Sequence, residues 1–127
     1  MKLLDSTFII DLMRGKEPVR KYLSPTESYL TTQINMYEVI VGLFFENKPE
    51  KLAAVRELFE QIRVLPLDDT SIIKAAEINA RCIKKGQLID DCDCLIAGTA
   101  LSNGITTVIT RNKKHFERIE GLKIETY

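Results

Sequence analysis

Short β-like runs alternate with longer helical segments along this chain, and that alternation constrains its fold more than any other feature. Strand–helix alternation of this kind is typical of a parallel sheet with helices on both faces. No linker, repeat or low-complexity stretch interrupts it, so we predict one α/β domain over residues 1–127. The predicted strands are 2–6, 28–32, 63–67, 105–110 and 122–125.

The position of one strand in the sheet, and the helices between the strands, can also be predicted. Pro66 lies within the predicted strand 63–67, which predicts that this strand is at an edge of the sheet. Apolar residues spaced three and four apart predict a helix over 50–62. The other predicted helices are 7–14, 33–46, Asp68 or Asp69 to Lys85, and Asp90 or Asp91 to about Gly104, with 16–24 as a connector or short helix and 111–119 as a helical turn.

The charge balance limits the possible nucleic-acid partners. Eighteen basic and eighteen acidic residues give a net charge of zero, which argues against a protein that coats a duplex by bulk charge. No apolar run approaches the roughly 20 residues of a membrane span. Asp5 and Asp11 interrupt the N-terminal apolar segment too early for a signal peptide, so we expect the chain in the cytoplasm.

The three cysteines do not suggest a zinc site. Cys92 and Cys94 are two residues apart on a predicted helix, so they point in different directions. With Cys82 they number only three, and His115 is the one histidine that could complete the site. Buried thiols that act as small hydrophobic side chains are the favoured interpretation.

Three acids stand where the pattern is otherwise apolar. Asp5 ends the first strand-like run, Glu38 interrupts the apolar segment 34–45, and Asp93 opens the apolar run 94–97. A carboxylate removed from water without a partner is costly. If the three converge, Mg²⁺ or Mn²⁺ is the cation that suits such a set of hard oxygen ligands. The acids therefore favour a metal-dependent phosphodiester hydrolase.

Each acid also has a purely structural explanation. Asp5 could cap the helix that begins near residue 7, Glu38 could be solvent-exposed or salt-bridged, and Asp93 could form a capping box with Asp90. Gly42, one turn after Glu38, costs the helix roughly 1 kcal/mol relative to Ala. Such a glycine leaves room for close packing or for the approach of a ligand.

Polar residues also gather at the predicted end of strand 105–110. Asn112 follows Thr110 and Arg111, and is either a turn residue or a ligand of metal-bound water. Arg111, Lys113 and Lys114 form a basic cluster that is either solvated surface or a site for substrate phosphates.

Two further groups have simpler interpretations. We expect Ser6 and Thr7 to be turn and capping residues first and site hydroxyls second, and His115 and Phe116 to anchor the last helical turn.

Four motifs, taken together in chain order, resemble those of PIN-domain ribonucleases, and in particular the VapC toxins of VapBC toxin–antitoxin pairs. The resemblance implies a three-layer α/β/α domain with a five-stranded parallel sheet of order 3-2-1-4-5. It implies Mg²⁺- or Mn²⁺-dependent cleavage of RNA and a small VapB-like antitoxin that covers the acidic site. The motifs are Leu3-Leu4-Asp5-Ser6-Thr7, Asn35-x-x-Glu38-x-x-x-Gly42, Asp93-x-Leu95-Ile96-Ala97-x-x-Ala100 and Val108-Ile109-Thr110-Arg111-Asn112-x-x-His115-Phe116.

The resemblance also implies residue roles. Asp5, Glu38 and Asp93 match the three family acids and would hold the metal. Asn112 matches a fourth site position that is often Asp, and the amide removes one negative charge. Ser6, Thr7, Thr110 and Arg111 would support these ligands or the substrate. His115 stands where many relatives carry another acid.

Other functions fit parts of the pattern. A catalytically degenerate PIN scaffold would bind RNA or a protein without cutting, and a non-toxin nuclease would process RNA with the same acids. An aspartyl-phosphate domain fits poorly, because Thr7 stands where the phosphatase type needs a second Asp, and residues 110–112 lack the lysine of a receiver.

The helix predicted over 33–46 is apolar on nearly every side, which is more than one sheet face can cover. Met36, Tyr37, Ile40 and Phe44 could form a homodimer surface, together with the 52–62 helix. The alternative is that the two helices pack on each other within one subunit.

Overall fold

The computed structural model describes residues 1–127, and a five-stranded sheet lies at its centre. Every neighbouring pair of strands is parallel, and the order is β3-β2-β1-β4-β5. This confirms the predicted sheet and excludes a receiver domain, whose strand order is 2-1-3-4-5. The strands are β1 Lys2–Leu4, β2 Tyr29–Thr32, β3 Arg63–Leu65, β4 Thr107–Ile109 and β5 Lys123–Glu125.

Helices cover both faces of this sheet. Successive residues of a strand point to opposite faces, so Leu3 and Leu4 belong to two separate apolar cores. None of the helices is long and apolar enough to span a membrane. They are α1 Ser6–Met13, α2 Glu17–Tyr22, α3 Gln33–Phe45, α4 Leu52–Glu60, α5 Asp69–Lys84, α6 Asp91–Ser102 and α7 Lys113–Phe116, with a 3-10 turn at Pro49–Lys51.

Every strand is shorter than predicted: β1, β3 and β4 end earlier, and β2, β4 and β5 begin later. The strand predicted over 2–6 ends at Leu4, because Asp5 already occupies the N-cap position of α1. The strand predicted over 63–67 ends at Leu65, so Pro66 follows the strand instead of lying within it. This strand is at the edge of the sheet, as predicted. The connector 16–24 contains the short helix α2.

Helices α5 and α6 approach each other closely around Gly98. A Cβ atom added there would lie 2.5 Å from the backbone nitrogen of Ala75 and 2.7 Å from its Cβ. No real Cβ atom tolerates such distances, so this crossing requires a glycine. The contact fixes the position of α6, the helix that carries Asp93.

Candidate active site

Asp5 lies at the carboxyl end of the central strand β1, where an α/β sheet of this kind places its sites. Although it occupies the N-cap position of α1, its side chain forms no capping hydrogen bond. Instead its carboxylate accepts hydrogen bonds from Thr110 Oγ1 at 2.7 Å and from Asn35 Nδ2 at 3.1 Å. Burial raises the pKa of this carboxyl, which is 5 % exposed, and these hydrogen bonds only partly oppose the rise. The helix-cap explanation of Asp5 is therefore excluded.

Asn35 links the acids at the start of α3 and is a site residue to which the sequence assigns no role. Its Oδ1 accepts a hydrogen bond from the Thr32 backbone N–H at 3.3 Å, as part of a capping box, and another from Thr32 Oγ1 at 2.7 Å, which together fix the side-chain amide. Its Nδ2 then donates to Asp5 Oδ1 and to Ser6 Oγ, at 3.0 Å for the latter. The signal available in the sequence was a polar amide three residues before Glu38 in an otherwise apolar helix, and the structure buries this amide fully.

Glu38 lies one turn further along α3 and is half-buried. Its Oε1 accepts a hydrogen bond from Ser6 Oγ at 2.8 Å, and no basic side chain forms a salt bridge with it. Burial raises the pKa of Glu38, and repulsion from Asp5 and Asp90 raises it further. The sequence-based alternative of a solvated or salt-bridged glutamate is therefore wrong, and Ser6 is a site hydroxyl that connects Asn35 to Glu38.

Asp93 is not needed to cap its helix, because Asp90 does this by accepting a hydrogen bond from the backbone N–H of Cys92 at 2.9 Å. Asp93 is buried, and its Oδ2 lies 3.2 Å from His115 Nδ1. Burial raises the pKa of Asp93 to about 7, with the charges of Asp5, Asp90 and Glu38 adding to the rise and that of His115 opposing it. His115 thus contacts a site acid, a role beyond anchoring the last turn.

The chain between β4 and α7 is held by hydroxyl groups. Thr110 is fully buried, and its Oγ1 accepts a hydrogen bond from the Asn112 backbone N–H at 3.0 Å while it donates to Asp5. Thr7 Oγ1 accepts from the Arg111 backbone N–H at 3.1 Å. Thr7 and Thr110 therefore orient this corner beside Asp5. Asn112 precedes α7, and its side-chain amide forms no capping bond there.

The Arg111 side chain is directed at a different acid. Its guanidinium lies 3.1 Å from the carboxylate of Asp11, a residue only 1 % exposed that the sequence did not single out. Asp11 also accepts a hydrogen bond from Tyr127 Oη at 2.7 Å and pairs with Lys16 Nζ at 3.2 Å. Burial acts to raise the pKa of Asp11, but these partners keep it below its ordinary value. The paired guanidinium favours a structural role over phosphate binding.

The donor set of the three acids suits a hard divalent cation, although it is not preformed. No three His, Cys, Asp or Glu side chains stand where one metal ion could contact them all. Each acid instead contacts a side chain that is not acidic. Thr110 donates a hydrogen bond to Asp5, Ser6 donates one to Glu38, and His115 lies beside Asp93. Three oxygen ligands whose charges repel one another and whose pKa values are all raised would gain from a cation between them. The residues therefore fit the ion that the sequence predicts.

The raised pKa of Asp93 predicts how stability depends on pH in the metal-free protein. The carboxyl binds its proton more tightly in the folded chain than in the unfolded chain, where its pKa is 3.8. The contribution of this bound proton to folding stability is thus fully present below pH 4 and is lost as the pH rises through about 7. In EDTA, Asp93→Asn should melt several degrees above wild type at pH 8, and the two curves should converge towards pH 4. A constant difference across that range would contradict the shift.

Comparison with known proteins gives the family. Residues 2–122 match the family model of the PIN domain. The chain is 32% identical over 128 residues to the tRNA(fMet)-specific endonuclease VapC of Salmonella typhimurium, and this match covers 98% of the chain and 96% of the relative. It is 33% identical to ribonuclease VapC1 of Methanocaldococcus jannaschii, with coverage of 96% and 85%.

A solved structure agrees with these matches. The crystal structure of DNA-bound VapBC from Salmonella typhimurium contains a chain that superposes with a TM-score of 0.86 at 31% identity. The superposition covers 98% of this chain and 96% of the other. The likeness therefore extends over essentially the whole fold.

Proposed function

Because this chain belongs to the PIN-domain family and matches its VapC members over nearly its whole length, we propose that it is a Mg²⁺- or Mn²⁺-dependent endoribonuclease and the toxin of a VapBC-type pair. RNA is its proposed substrate, which places the activity in the cytoplasm. The observation that carries the proposal is the gathering of Asp5, Glu38 and Asp93 from three separate elements, each with a raised pKa.

The residues of the site have two kinds of role, metal binding and orientation of the metal ligands. Asp5 and Asp93 would hold the divalent ion with Glu38, either directly or through water. The ion would supply an activated water and neutralise charge on the scissile phosphate. Ser6 and Thr110 fix the orientation of the Glu38 and Asp5 carboxylates by donating hydrogen bonds to them.

Asn112 and His115 have supporting roles beside the three acids. The Asn112 side chain, free of bonds to the helix end, is available to a water or to the substrate. His115 Nδ1 is placed to compete with a metal for Asp93. Asp93 would exchange this contact for the ion when it serves as a ligand.

Mapping the ends of the cleavage products tests the proposed chemistry. Attack by water, without use of the ribose 2′-hydroxyl, leaves a 5′-phosphate and a 3′-hydroxyl. Purified chain should therefore cut total RNA in Mn²⁺ or Mg²⁺ into fragments that ligate without prior phosphorylation, and excess EDTA should stop the cutting. Products with 2′,3′-cyclic phosphate ends, or full activity in EDTA, would refute this chemistry.

A scaffold that binds RNA or protein without cutting is the second candidate, and a housekeeping RNA-processing nuclease is the third. Calorimetric titration with Mn²⁺ distinguishes the metal-dependent nuclease from the scaffold, because a pure scaffold has no need to bind the ion. The presence of all three acids favours the nuclease. Growth arrest on expression, relieved by the product of a neighbouring small gene, would favour the toxin over a processing enzyme.

An apolar groove supports the proposal of a VapB-like antitoxin partner. The groove has a volume of about 520 Å³ and lies between α1, α3 and α4. Gly42 forms part of its wall, and a Cβ atom added there would contact nothing within 4 Å. Internal packing thus does not explain this glycine, whereas a partner helix lying in the groove would. Co-purification with the neighbouring small protein, lost in Gly42→Trp, would support this site.

The exposed face of α3 supports the proposed homodimer, though through a different set of residues than the sequence predicts. Of the predicted set, Met36 and Ile40 are half-buried and pack against the core that contains Leu4, whereas Tyr37 and Phe44 are exposed. Val41, Phe44 and Phe45 remain exposed, the last of them by 86 %. We therefore place the dimer surface on these three side chains. Light scattering that shows a monomer at micromolar concentration would exclude it.

A further inference from the structure

A small apolar hollow lies between the N-terminal turns of α3 and α6. Its volume is about 260 Å³. One side is the ring of Tyr37, which is 61 % exposed although it sits on the most apolar helix of the protein. The hollow is lined by Gln33, Ile34, Tyr37, Leu67, Cys92 and Leu95.

The hollow directly adjoins the acidic site. Tyr37 immediately precedes Glu38 on α3, and Cys92 immediately precedes Asp93 on α6. The two helices that supply two of the three acids therefore also supply the walls of the hollow. A group next to a phosphate held at the acids is therefore close enough to enter this opening.

One polar group is fixed at the rim. Gln33 Oε1 accepts a hydrogen bond from the backbone N–H of Leu67 at 3.1 Å, which sets the orientation of the side-chain amide. Its nitrogen then forms no hydrogen bond with the rest of the chain and remains a donor. A flat aromatic ring, an apolar floor and a fixed donor together suit a planar ring that carries a carbonyl oxygen.

We propose that this hollow binds one nucleobase of the RNA substrate, next to the scissile phosphate, with Tyr37 stacking on the base and Gln33 donating to a carbonyl on its edge. Single-stranded bases are held in this manner by aromatic side chains, and one stacked base contributes about 1–3 kcal/mol. The proposal rests on the proposed ribonuclease function and goes beyond it, because it names the group that decides which bond is cut.

Removing bases from the substrate and the ring from the protein tests the proposal. The substrate is an RNA oligonucleotide around a mapped cleavage site, together with copies in which one position at a time is abasic. With wild type, one abasic position beside the cut should lower kcat/KM by roughly 5- to 100-fold. Tyr37→Ala should lower kcat/KM on intact RNA by a similar factor and become insensitive to that abasic position, as a coupled pair requires.

Two control variants isolate the ring. Tyr37→Phe keeps the ring and should restore the sensitivity to the abasic position that Tyr37→Ala loses. Ile83→Ala removes an apolar side chain that is 58 % exposed and does not line the hollow, so its kcat/KM and abasic profile should not change. Because Tyr37 is largely exposed, its replacement by Ala should leave the melting temperature near that of wild type.

The outcomes separate the two proposals. If wild type cuts RNA but Tyr37→Ala cuts equally well, or remains sensitive to every abasic position, the base site is refuted and the nuclease stands. If Tyr37→Ala converts a dimer to a monomer in light scattering, a second copy of the chain covers the hollow and the base site is again refuted. If wild type cuts no RNA with Mn²⁺ or Mg²⁺, both proposals fail together.

Discussion

Asp5→Asn and Asp93→Asn should each lower the rate of RNA cleavage by about 10³-fold or more while leaving the fold intact. A divalent ion supplies several kcal/mol of charge stabilisation in the transition state, and each 1.36 kcal/mol corresponds to a factor of ten in rate. Asparagine has the size of aspartate but is a weak ligand for a hard cation. It can still accept the hydrogen bond that Thr110 donates to residue 5.

Asp91→Asn is the matched control for this experiment. Asp91 lies two residues before Asp93 in the same helical turn, but it is exposed and only accepts a hydrogen bond from Asn79. Its replacement removes the same charge at nearly the same place in the sequence, so cleavage should stay within about twofold of wild type, as surface substitutions usually do. Equal losses in Asp91→Asn and Asp93→Asn would show that overall charge matters and that a specific ligand does not. Full activity in Asp5→Asn would remove that residue from the site.

The same substitution, Gly→Ala, should have opposite effects on stability at two glycines within helices. At Gly98 the new methyl group would meet the backbone of Ala75 at 2.5 Å, so α5 and α6 must move apart. Overpacking of this kind costs about 1–3 kcal/mol. At Gly42 nothing lies within 4 Å, and alanine should stabilise α3 by roughly 0.5–1 kcal/mol.

Thermal melts compare the two variants directly. Gly98→Ala should lower the melting temperature by about 5–10 °C and Gly42→Ala should raise it by a few degrees, since 1 kcal/mol corresponds to about 2–8 °C in domains of this size range. Gly98→Ala should also reduce cleavage, because α6 carries Asp93. A stabilising effect at Gly98 would mean that the crossing of α5 and α6 is looser than the distances to Ala75 indicate.

The sequence predicted the elements of the fold well because local signals mark them. Of the two candidate caps predicted for each helix, Asp68 and Asp90 form the cap, each by accepting a hydrogen bond from a backbone N–H in the first turn. The errors lie at both ends of the strands: β1 and β3 stop before Asp5 and Pro66, and β4 begins at Thr107, two residues later than predicted. A pattern of alternating side chains does not show at which residue the ladder of hydrogen bonds stops.

The site was predicted only in part, for a related reason. The three acids were visible because a carboxylate inside an apolar run contradicts its surroundings. Their partners were not visible, because each contact joins residues distant in the sequence. Asn35 reaches Asp5 across 30 residues, and Arg111 reaches Asp11 across 100. Periodicity places a side chain on a face of its own helix, but it does not identify what the neighbouring element presents.

The face of α3 illustrates a third limit. The helix is apolar on several sides, and its sequence does not indicate which side the core takes. The structure turns Met36 and Ile40 inward and leaves Phe44 exposed. In a helix with a single apolar stripe, such as α4, no such choice arises.

The late position of β4 in the chain determines when during synthesis the candidate site can form. The central strand β1 emerges first from the ribosome, yet one of its two neighbours begins only at Thr107. Until then Asp5 lacks the hydrogen bond from Thr110, and the sheet lacks both β4 and β5, because β5 pairs only with β4. At about 5–20 residues per second, more than four-fifths of translation passes before the site can assemble. A nascent chain, or one truncated before Thr110, therefore lacks the hydroxyl that orients the Asp5 carboxylate, and we expect it to be inactive.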